Sequence, residues 1–133
     1  MNEAVVDASV LIFALTSRSP DAEALGDRVR QLDTHAPHLI DAECGSSLRR
    51  LVRSGEITPN QGFSALRTTR TMVDFRHDHD AALGDLAWGL RDRMSFYDAL
   101  YVSLAARLDV LLLTSDGRLA RAHGLPCRVE LIG

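Results

Sequence analysis

Residues 110–116 read Val-Leu-Leu-Leu-Thr-Ser-Asp, and this stretch decides the class of fold. Its apolar part, Val110 to Thr114, is predicted to be a strand buried on both faces, and Glu3 to Asp7 predicts a second such strand at the start of the chain. Strands that are apolar on both faces are typical of parallel sheets covered by helices on both sides. We therefore predict an α/β protein, a three-layer α/β/α sandwich with a central parallel sheet.

Helical patterns separate the predicted strands. Ala8 to Thr16 predicts a short helix after the first strand, and Ser19 followed by Pro20 begins a helix that is expected to run to the breaker Pro37. His38 to Ile40 is then the predicted second strand. The other predicted helices begin at Asp41, Thr58, Asp80, Ser95 and Ser115, the last ending at His123, and the other strands are Val73–Arg76 and Arg128–Ile132.

Length and composition indicate one globular domain. The chain has 133 residues, of which 46% are hydrophobic and 25% charged, so we expect a single domain over residues 1–133. No apolar stretch reaches the ~20 residues of a membrane span, and no signal peptide opens the chain, so a cytosolic protein without a membrane partner is expected. Cys44 and Cys127 are isolated and are read as core residues.

The charged residues exclude several classes of function. All fifteen basic residues are arginine. Without lysine, the chain cannot be a Walker-type P-loop protein, a Schiff-base enzyme or a phospho-aspartate enzyme that pairs an Asp with a Lys. The net charge of −3 also argues against a protein that holds nucleic acid by a broadly basic surface.

Four carboxylates stand at positions where sites form in parallel sheets. Asp7 and Asp116 follow apolar strands, each with a hydroxyl residue two positions away, whereas Glu43 and Asp98 fall in the first turns of two helices. Helices that follow parallel strands begin at the edge where those strands end, so the four side chains are expected to converge on one cleft.

Convergence of these carboxylates predicts a bound cation. At an effective dielectric of about 20, two like charges at 4 Å cost on the order of 4 kcal/mol. A hard divalent ion such as Mg²⁺, or Mn²⁺ in its place, prefers oxygen ligands and would offset that repulsion. Such ions also activate water and neutralise the charge of a phosphodiester, which would make an acidic protein attractive to nucleic acid.

Each acid also has a purely structural interpretation. Asp98 lies three residues after Ser95 and could belong to a capping box. Glu43 could complement a helix dipole, and Asp116 before a glycine could be a turn or an N-cap. Asp7 is harder to explain in this way, because a charge at the end of a buried strand needs a partner.

At these residues the sequence closely resembles the PIN-domain family, in particular its VapC-type ribonuclease toxins, over the whole length. Val6-Asp7-Ala8-Ser9-Val10-Leu11 resembles the first family motif, and Glu43 with Leu48 and Arg49 resembles the second. The stretch from Tyr97 to Ala105 is similar to the third motif. Leu112 to Asp116, followed by Gly124-Leu125, is similar to the fourth.

The resemblance implies a PIN-like fold and Mg²⁺-dependent cleavage of RNA by the toxin of a type II toxin-antitoxin system. It also implies a cognate antitoxin and a homodimer. In that family pattern Asp7, Asp98 and Asp116 would bind the metal, and Glu43 would position or deprotonate water. Ser9 and Thr114 would hold the carboxylates through hydrogen bonds. Asp41 competes with Glu43 for the second acidic position.

Other polar and aromatic residues receive structural interpretations. The tract from Arg76 to Asp80 is expected to be a solvated loop that ends where Asp80 caps a helix, and His35 and His38 are also assigned to a loop. Trp88, Tyr97 and Tyr101 are expected to pack in the core. An exposed basic face, which could also contact RNA or an acidic partner, is predicted for Arg49, Arg50, Arg53, Arg67 and Arg70.

Two other functions remain open from the sequence. The same carboxylates would serve a nuclease or phosphatase acting on DNA or on a small phosphate ester, and RNA is favoured by the family resemblance alone. A PIN-like module without catalytic activity could instead recruit RNA or protein. For the antitoxin, the apolar stretch Ala8–Leu15 and the helix Asp41–Arg53 are expected to form a groove, from which an antitoxin arginine could reach the acids.

Overall fold

A sheet of five parallel strands forms the centre of the computed structural model, which describes residues 2–133. The strands are β1 (Glu3–Val6), β2 (Asp33–Pro37), β3 (Phe75–His77), β4 (Leu111–Thr114) and β5 (Val129–Leu131). The helices are α1 (Ala8–Thr16), α2 (Pro20–Gln31), α3 (Leu39–Arg53), α4 (Pro59–Met72), α5 (Ala82–Trp88), α6 (Phe96–Leu108) and α7 (Gly117–Ala120). Helices flank the sheet, so the predicted α/β/α sandwich with a parallel sheet is confirmed.

The order of the strands fixes where a cleft forms. Across the sheet the order is β3-β2-β1-β4-β5. The chain builds outwards from β1 to one edge and then returns to the other side of β1, so the connections diverge between β1 and β4. In open parallel sheets this divergence leaves a crevice at the carboxyl ends of the two strands.

The two central strands are buried on both faces, as the sequence predicted. Val5 and Val6 of β1 and Leu112 and Leu113 of β4 are all 0% exposed. Burying a side chain of this size contributes roughly 1.5–3 kcal/mol. The central strands therefore anchor the residues that follow them, Asp7 after β1 and Ser115 after β4.

Local capping signals placed three helices correctly. Ser19 accepts a hydrogen bond from the amide of Ala22 and begins α2 with Pro20 at its first turn. Thr58 and Gln61 form a complete capping box at the start of α4. Ser95 caps α6 in the same way as Ser19 caps α2. These starts were predictable because the bonds join residues three apart in the chain.

The predicted second strand, His38 to Ile40, is wrong. The strand is Asp33–Pro37, α2 ends at Gln31 rather than at Pro37, and α3 already begins at Leu39. The strand was missed because its buried residues include polar ones. The hydroxyl of Thr34 satisfies its burial by donating to the carbonyl of Met72 (2.7 Å), a contact across the fold that sequence patterns do not reveal.

Other boundaries also differ. Asp80 does not cap α5, because the residue before that helix is Ala81, which makes no side-chain capping bond. The last helix is Gly117–Ala120 rather than the longer segment from Ser115 to His123. β3 begins at Phe75, two residues later than predicted.

The cysteines agree with their interpretation as packing residues. Cys44 is buried, Cys127 is partly buried, and both are free thiols. Burial raises the pKa of the Cys44 thiol to about 12, so this thiol remains protonated. No helix within residues 2–133 is long and apolar enough to cross a membrane.

Candidate active site

Asp7 lies at the junction between β1 and α1. It caps α1, its Oδ1 accepting a hydrogen bond from the amide of Val10 at 3.2 Å. The hydroxyl of Ser9 also donates to Oδ1, and the hydroxyl of Thr114 donates to Oδ2. Asp7 as a residue is only 7% exposed. The carboxylate of Asp7, which follows β1, therefore accepts hydrogen bonds from three protein donors in place of water.

The two hydroxyls tie the ends of β1 and β4 together. While donating to Asp7, Ser9 Oγ accepts from the amide of Ser115 at 2.9 Å, and Thr114 Oγ1 accepts from the amide of Asp116 at 3.0 Å. Each hydroxyl thus fixes one carboxylate oxygen and one backbone amide. Ser9 and Thr114 therefore both donate to Asp7, while their supporting role in a metal site stays a prediction.

Asp98 and Asp116 are joined by one guanidinium. Nη2 of Arg118 lies 3.1 Å from Asp98 Oδ2 and 3.1 Å from Asp116 Oδ2. Asp116 also caps α7 through the amides of Arg118 and Leu119, and Ser95 caps α6 by accepting from the amide of Asp98. The carboxylate of Asp98 is free of that cap because the bond uses only its backbone.

Glu43 approaches the same edge from α3. Its Oε1 accepts a hydrogen bond of 2.6 Å from the hydroxyl of Tyr101 on α6. Tyr101 is 2% exposed, so this donor is fixed by the core. The bond holds the carboxylate of one helix against a neighbouring helix that also carries Asp98.

The acids influence one another electrostatically. Burial raises the pKa of Asp7 above its ordinary value, the Ser9 and Thr114 hydroxyls oppose that rise, and the charge of Asp116 adds to it. Burial also raises the pKa of Glu43, opposed by the Tyr101 hydroxyl and reinforced by Asp7 and Asp98. These effects couple Asp7 to Asp116 and Glu43 to Asp7 and Asp98. Repulsion between like charges of this kind is unfavourable without a cation.

Comparison with known proteins agrees with this architecture. A family model described as PIN domain matches residues 4–125. The chain belongs to the PIN-domain family. This PIN domain is similar to Ribonuclease VapC1 of Mycobacterium tuberculosis, with 46% identity over 99% of both chains. It is also 39% identical to Ribonuclease VapC3 of the same species, over 90% of this chain and 87% of the other.

Solved structures share the fold of the PIN domain at much lower identity. One is the crystal structure of VapBC2 from Rickettsia felis bound to a DNA fragment from their promoter. Its TM-score is 0.67 over 98% of this chain and 99% of that chain, at 15% identity. A likeness at this identity concerns the fold alone.

Asp41 pairs with Arg76 and not with the group of acids formed by Asp7, Glu43, Asp98 and Asp116. Its carboxylate forms two hydrogen bonds with Arg76, from Nε at 2.7 Å and from Nη2 at 2.9 Å. A paired fork of this kind satisfies both oxygens. Asp41 is thus committed to a link between α3 and β3, whereas Glu43 is the acid of α3 that interacts with Asp7 and Asp98.

The donor set suits a hard divalent cation, because the acids at this edge offer carboxylate oxygens alone. Within residues 2–133, no three carboxylate, imidazole or thiol side chains are grouped closely enough to surround one ion. Binding would require the carboxylates of Asp98 and Asp116 to turn away from the guanidinium of Arg118. That side chain is 71% exposed and has solvent into which it can move.

Two histidines assigned to loops belong to the sheet. His35 lies in β2 and is 7% exposed, and its ring nitrogens lie 2.9 Å from His77 Nε2 and 2.9 Å from Glu3 Oε1. His77 lies in β3, so the solvated loop predicted for residues 76–80 is wrong at its first two positions. These rings satisfy one another across neighbouring strands, a pairing that depends on register.

The aromatic predictions divide between buried and exposed positions. Tyr101 is buried as expected, but Trp88 is 61% and Tyr97 59% exposed, so their assignment to the core is wrong. Trp88 instead packs under the guanidinium of Arg91, whose Cζ lies 5.1 Å from the ring centroid.

Sequence reasoning also missed the contacts of Tyr101 and Arg118 with the acids. A signal was present, since Tyr101 follows Asp98 by three residues on one helix and therefore shares its face.

Proposed function

We propose that this PIN domain, acting as one nuclease domain over residues 1–133, is a metal-dependent endoribonuclease and the toxin of a type II toxin-antitoxin system. One observation carries the proposal. Asp7 and Asp116 stand at the carboxyl ends of β1 and β4, where the strand order diverges, and the pKa of Glu43 is raised by Asp7 and Asp98 as well as by burial. A crevice of this kind is where open parallel sheets bind ligands.

Each acid is assigned a role. Asp7, Asp98 and Asp116 would hold Mg²⁺, or Mn²⁺ as a substitute, and Ser9 and Thr114 would orient Asp7. The bound cation would supply an activated water and neutralise charge on the scissile phosphodiester. Glu43 would orient that water or accept its proton, because its raised pKa makes it a better base than an exposed carboxylate.

RNA is the proposed substrate because the relatives VapC1 and VapC3 are named ribonucleases. The net charge of −3 does not oppose this, since the loaded cation attracts phosphate. Exposed arginines on α3 and α4 could also contact the RNA backbone. They are Arg49, Arg50, Arg53, Arg67 and Arg70. Such a protein would act in the cytosol.

Cleavage of end-labelled RNA tests the proposal. The purified protein is incubated with RNA, and with DNA of the same sequence, in Mg²⁺, Mn²⁺ or EDTA. We expect internal cuts in RNA that require the cation, and no cuts by the Asp98→Asn variant. Preferential cutting of DNA would favour the wider nuclease alternative. Cation-dependent RNA binding without any cleavage would favour a binding module.

We also propose a small antitoxin as partner, which the resemblance to VapC-type toxins implies. A groove between α1 and α3 supports this, because Ile12, Phe13 and Leu51 line it together with Arg50, and it reaches Ser9 beside Asp7. An amphipathic antitoxin helix would fit its apolar wall, and an arginine from that peptide could pair with the nearby acids.

Inhibition measured at several Mg²⁺ concentrations tests the antitoxin proposal. We expect more antitoxin to be needed as Mg²⁺ rises, and an antitoxin lacking the inserted arginine to inhibit less. Inhibition that ignores both changes would place the antitoxin elsewhere. A homodimer, which the resemblance also implies, is tested by sedimentation of the antitoxin-free protein.

A further inference from the structure

Arg118 is the positive group in contact with two of the proposed metal ligands. One nitrogen, Nη2, bridges Asp98 Oδ2 and Asp116 Oδ2 at 3.1 Å each. The two carboxylates come from different elements, the first turn of α6 and the residue before α7. The guanidinium therefore holds together two like charges that would otherwise repel each other.

The guanidinium of Arg118 and a divalent cation cannot both bind Asp98 Oδ2 and Asp116 Oδ2 at the same time. A cation held by Asp98 and Asp116 needs the lone pairs that now accept from Arg118, and two positive charges would then be close neighbours. The arginine side chain is 71% exposed. An exposed ion pair is weak and its long side chain is flexible, so Arg118 can leave at small cost.

We propose that Arg118 is the internal counter-ion of the cation-free site and that it must leave Asp98 and Asp116 when the cation binds. The inference rests on the proposed function only in assigning the cation to these carboxylates. Arg118 is then a positioning residue, because it keeps the two ligands together in the absence of metal and competes with the metal for them.

Arg121 provides a matched control for charge. It lies one turn after Arg118, and within residues 2–133 it makes no ion pair. The Arg121→Ala substitution removes the same charge from the same region without breaking a bond to Asp98 or Asp116. Arg118→Lys keeps the charge of Arg118 but loses the planar fork.

The test is calorimetric titration of Mn²⁺ into the parent protein and into Arg118→Ala, Arg118→Lys and Arg121→Ala, without RNA. We expect Arg118→Ala to bind Mn²⁺ about three- to tenfold more tightly than the parent, because a competitor for both carboxylates is removed. The affinity of Arg118→Lys for Mn²⁺ should fall between those of Arg118→Ala and the parent. The affinity of Arg121→Ala should stay within about twofold of the parent's, because the charge of Arg121 lies farther from the two carboxylates and is screened.

Thermal unfolding gives a second readout. In EDTA at low salt, Arg118→Ala should unfold at a lower temperature than the parent, and saturating Mn²⁺ should remove the difference.

Three results of the Mn²⁺ titration would overturn the inference. Arg118→Ala could bind Mn²⁺ more weakly than the parent, Arg118→Ala and Arg121→Ala could bind it equally well, or the parent could bind no Mn²⁺. Failure to cleave RNA alongside the expected affinities would reject the proposed function and leave the counter-ion role intact.

Discussion

The hydroxyl of Tyr101 on α6 donates a hydrogen bond of 2.6 Å to Glu43 Oε1 on α3. The donor is buried in the core, whereas the acceptor is half-buried at the acidic edge of the sheet. Packing of the tyrosine ring therefore determines where one of the four acids is held. Support of a functional carboxylate by a neighbouring donor commonly changes activity by tenfold or more.

Replacing Tyr101 with Phe should lower the rate of RNA cleavage by about tenfold to hundredfold while preserving the fold, because Glu43 loses its buried donor. The bond lowers the pKa of Glu43, so its loss should move the acidic limb of the pH–rate profile to higher pH. Tyr97→Phe is the matched control, since Tyr97 is 59% exposed. Equal rates and equal profiles in the two variants would contradict the positioning role of Tyr101.

Glu43→Gln and Asp41→Asn together decide which acid of α3 is functional. Glu43→Gln should abolish cleavage, because the amide cannot accept a proton from water. Asp41→Asn should retain most activity but weaken the bond to Arg76, lowering the free energy of unfolding by roughly 0.5–1 kcal/mol. Cleavage assays and urea unfolding of both variants measure these effects. The reverse pattern in the cleavage assay would assign the role to Asp41.

Asp7→Asn and Asp98→Asn should each abolish cleavage and leave the folded structure intact. Both remove a charge from a region of repelling carboxylates, so neither variant should be much less stable than the parent when metal is absent. Circular dichroism checks the fold and the labelled-RNA assay checks the activity. Full activity in either variant would rule out this active site.

The stability of the metal-free protein should depend on pH through Asp7. A carboxyl whose pKa is raised on folding contributes stability below its ordinary pKa and loses that contribution as the pH rises through the raised value. The parent should therefore lose stability relative to Asp7→Asn as the pH rises from about 4, where an aspartate ordinarily titrates, towards neutrality. Urea midpoints of both proteins in EDTA measure the difference, and a constant difference would show that folding does not raise this pKa.

Changes at His77 should affect stability rather than chemistry. His77→Ala removes the partner of His35 and should lower the free energy of unfolding by on the order of 1 kcal/mol. His79→Ala should leave that free energy nearly unchanged. The double variant should keep the rate of cleavage within a few-fold of the parent's. Burial lowers the pKa of His77, so its contribution is present above its ordinary pKa and is lost as the pH falls through the lowered value. A hundredfold loss of rate in the double variant would point to a functional role for the tract.

The central features of the fold were predictable because they depend on short stretches of sequence. Val110 to Thr114 is apolar at every position but the last, and a strand of that kind needs helices on both faces. Hydrogen bonds between residues three apart fixed the helix starts at Ser19, Thr58 and Ser95. The convergence of Asp7 and Asp116 followed from their places after two parallel strands.

What the sequence by itself determined is thus the class of fold and the end of the sheet at which Asp7 and Asp116 lie. Only the tertiary structure decided which partner each polar group has. Arg76 pairs with Asp41 across 35 residues and Tyr101 with Glu43 across 58, and Thr34 is buried in a polar strand because Met72 and Asp74 satisfy its hydroxyl. Periodicity shows which face of an element is apolar, but the partner of a buried polar group depends on how distant elements pack and on strand register.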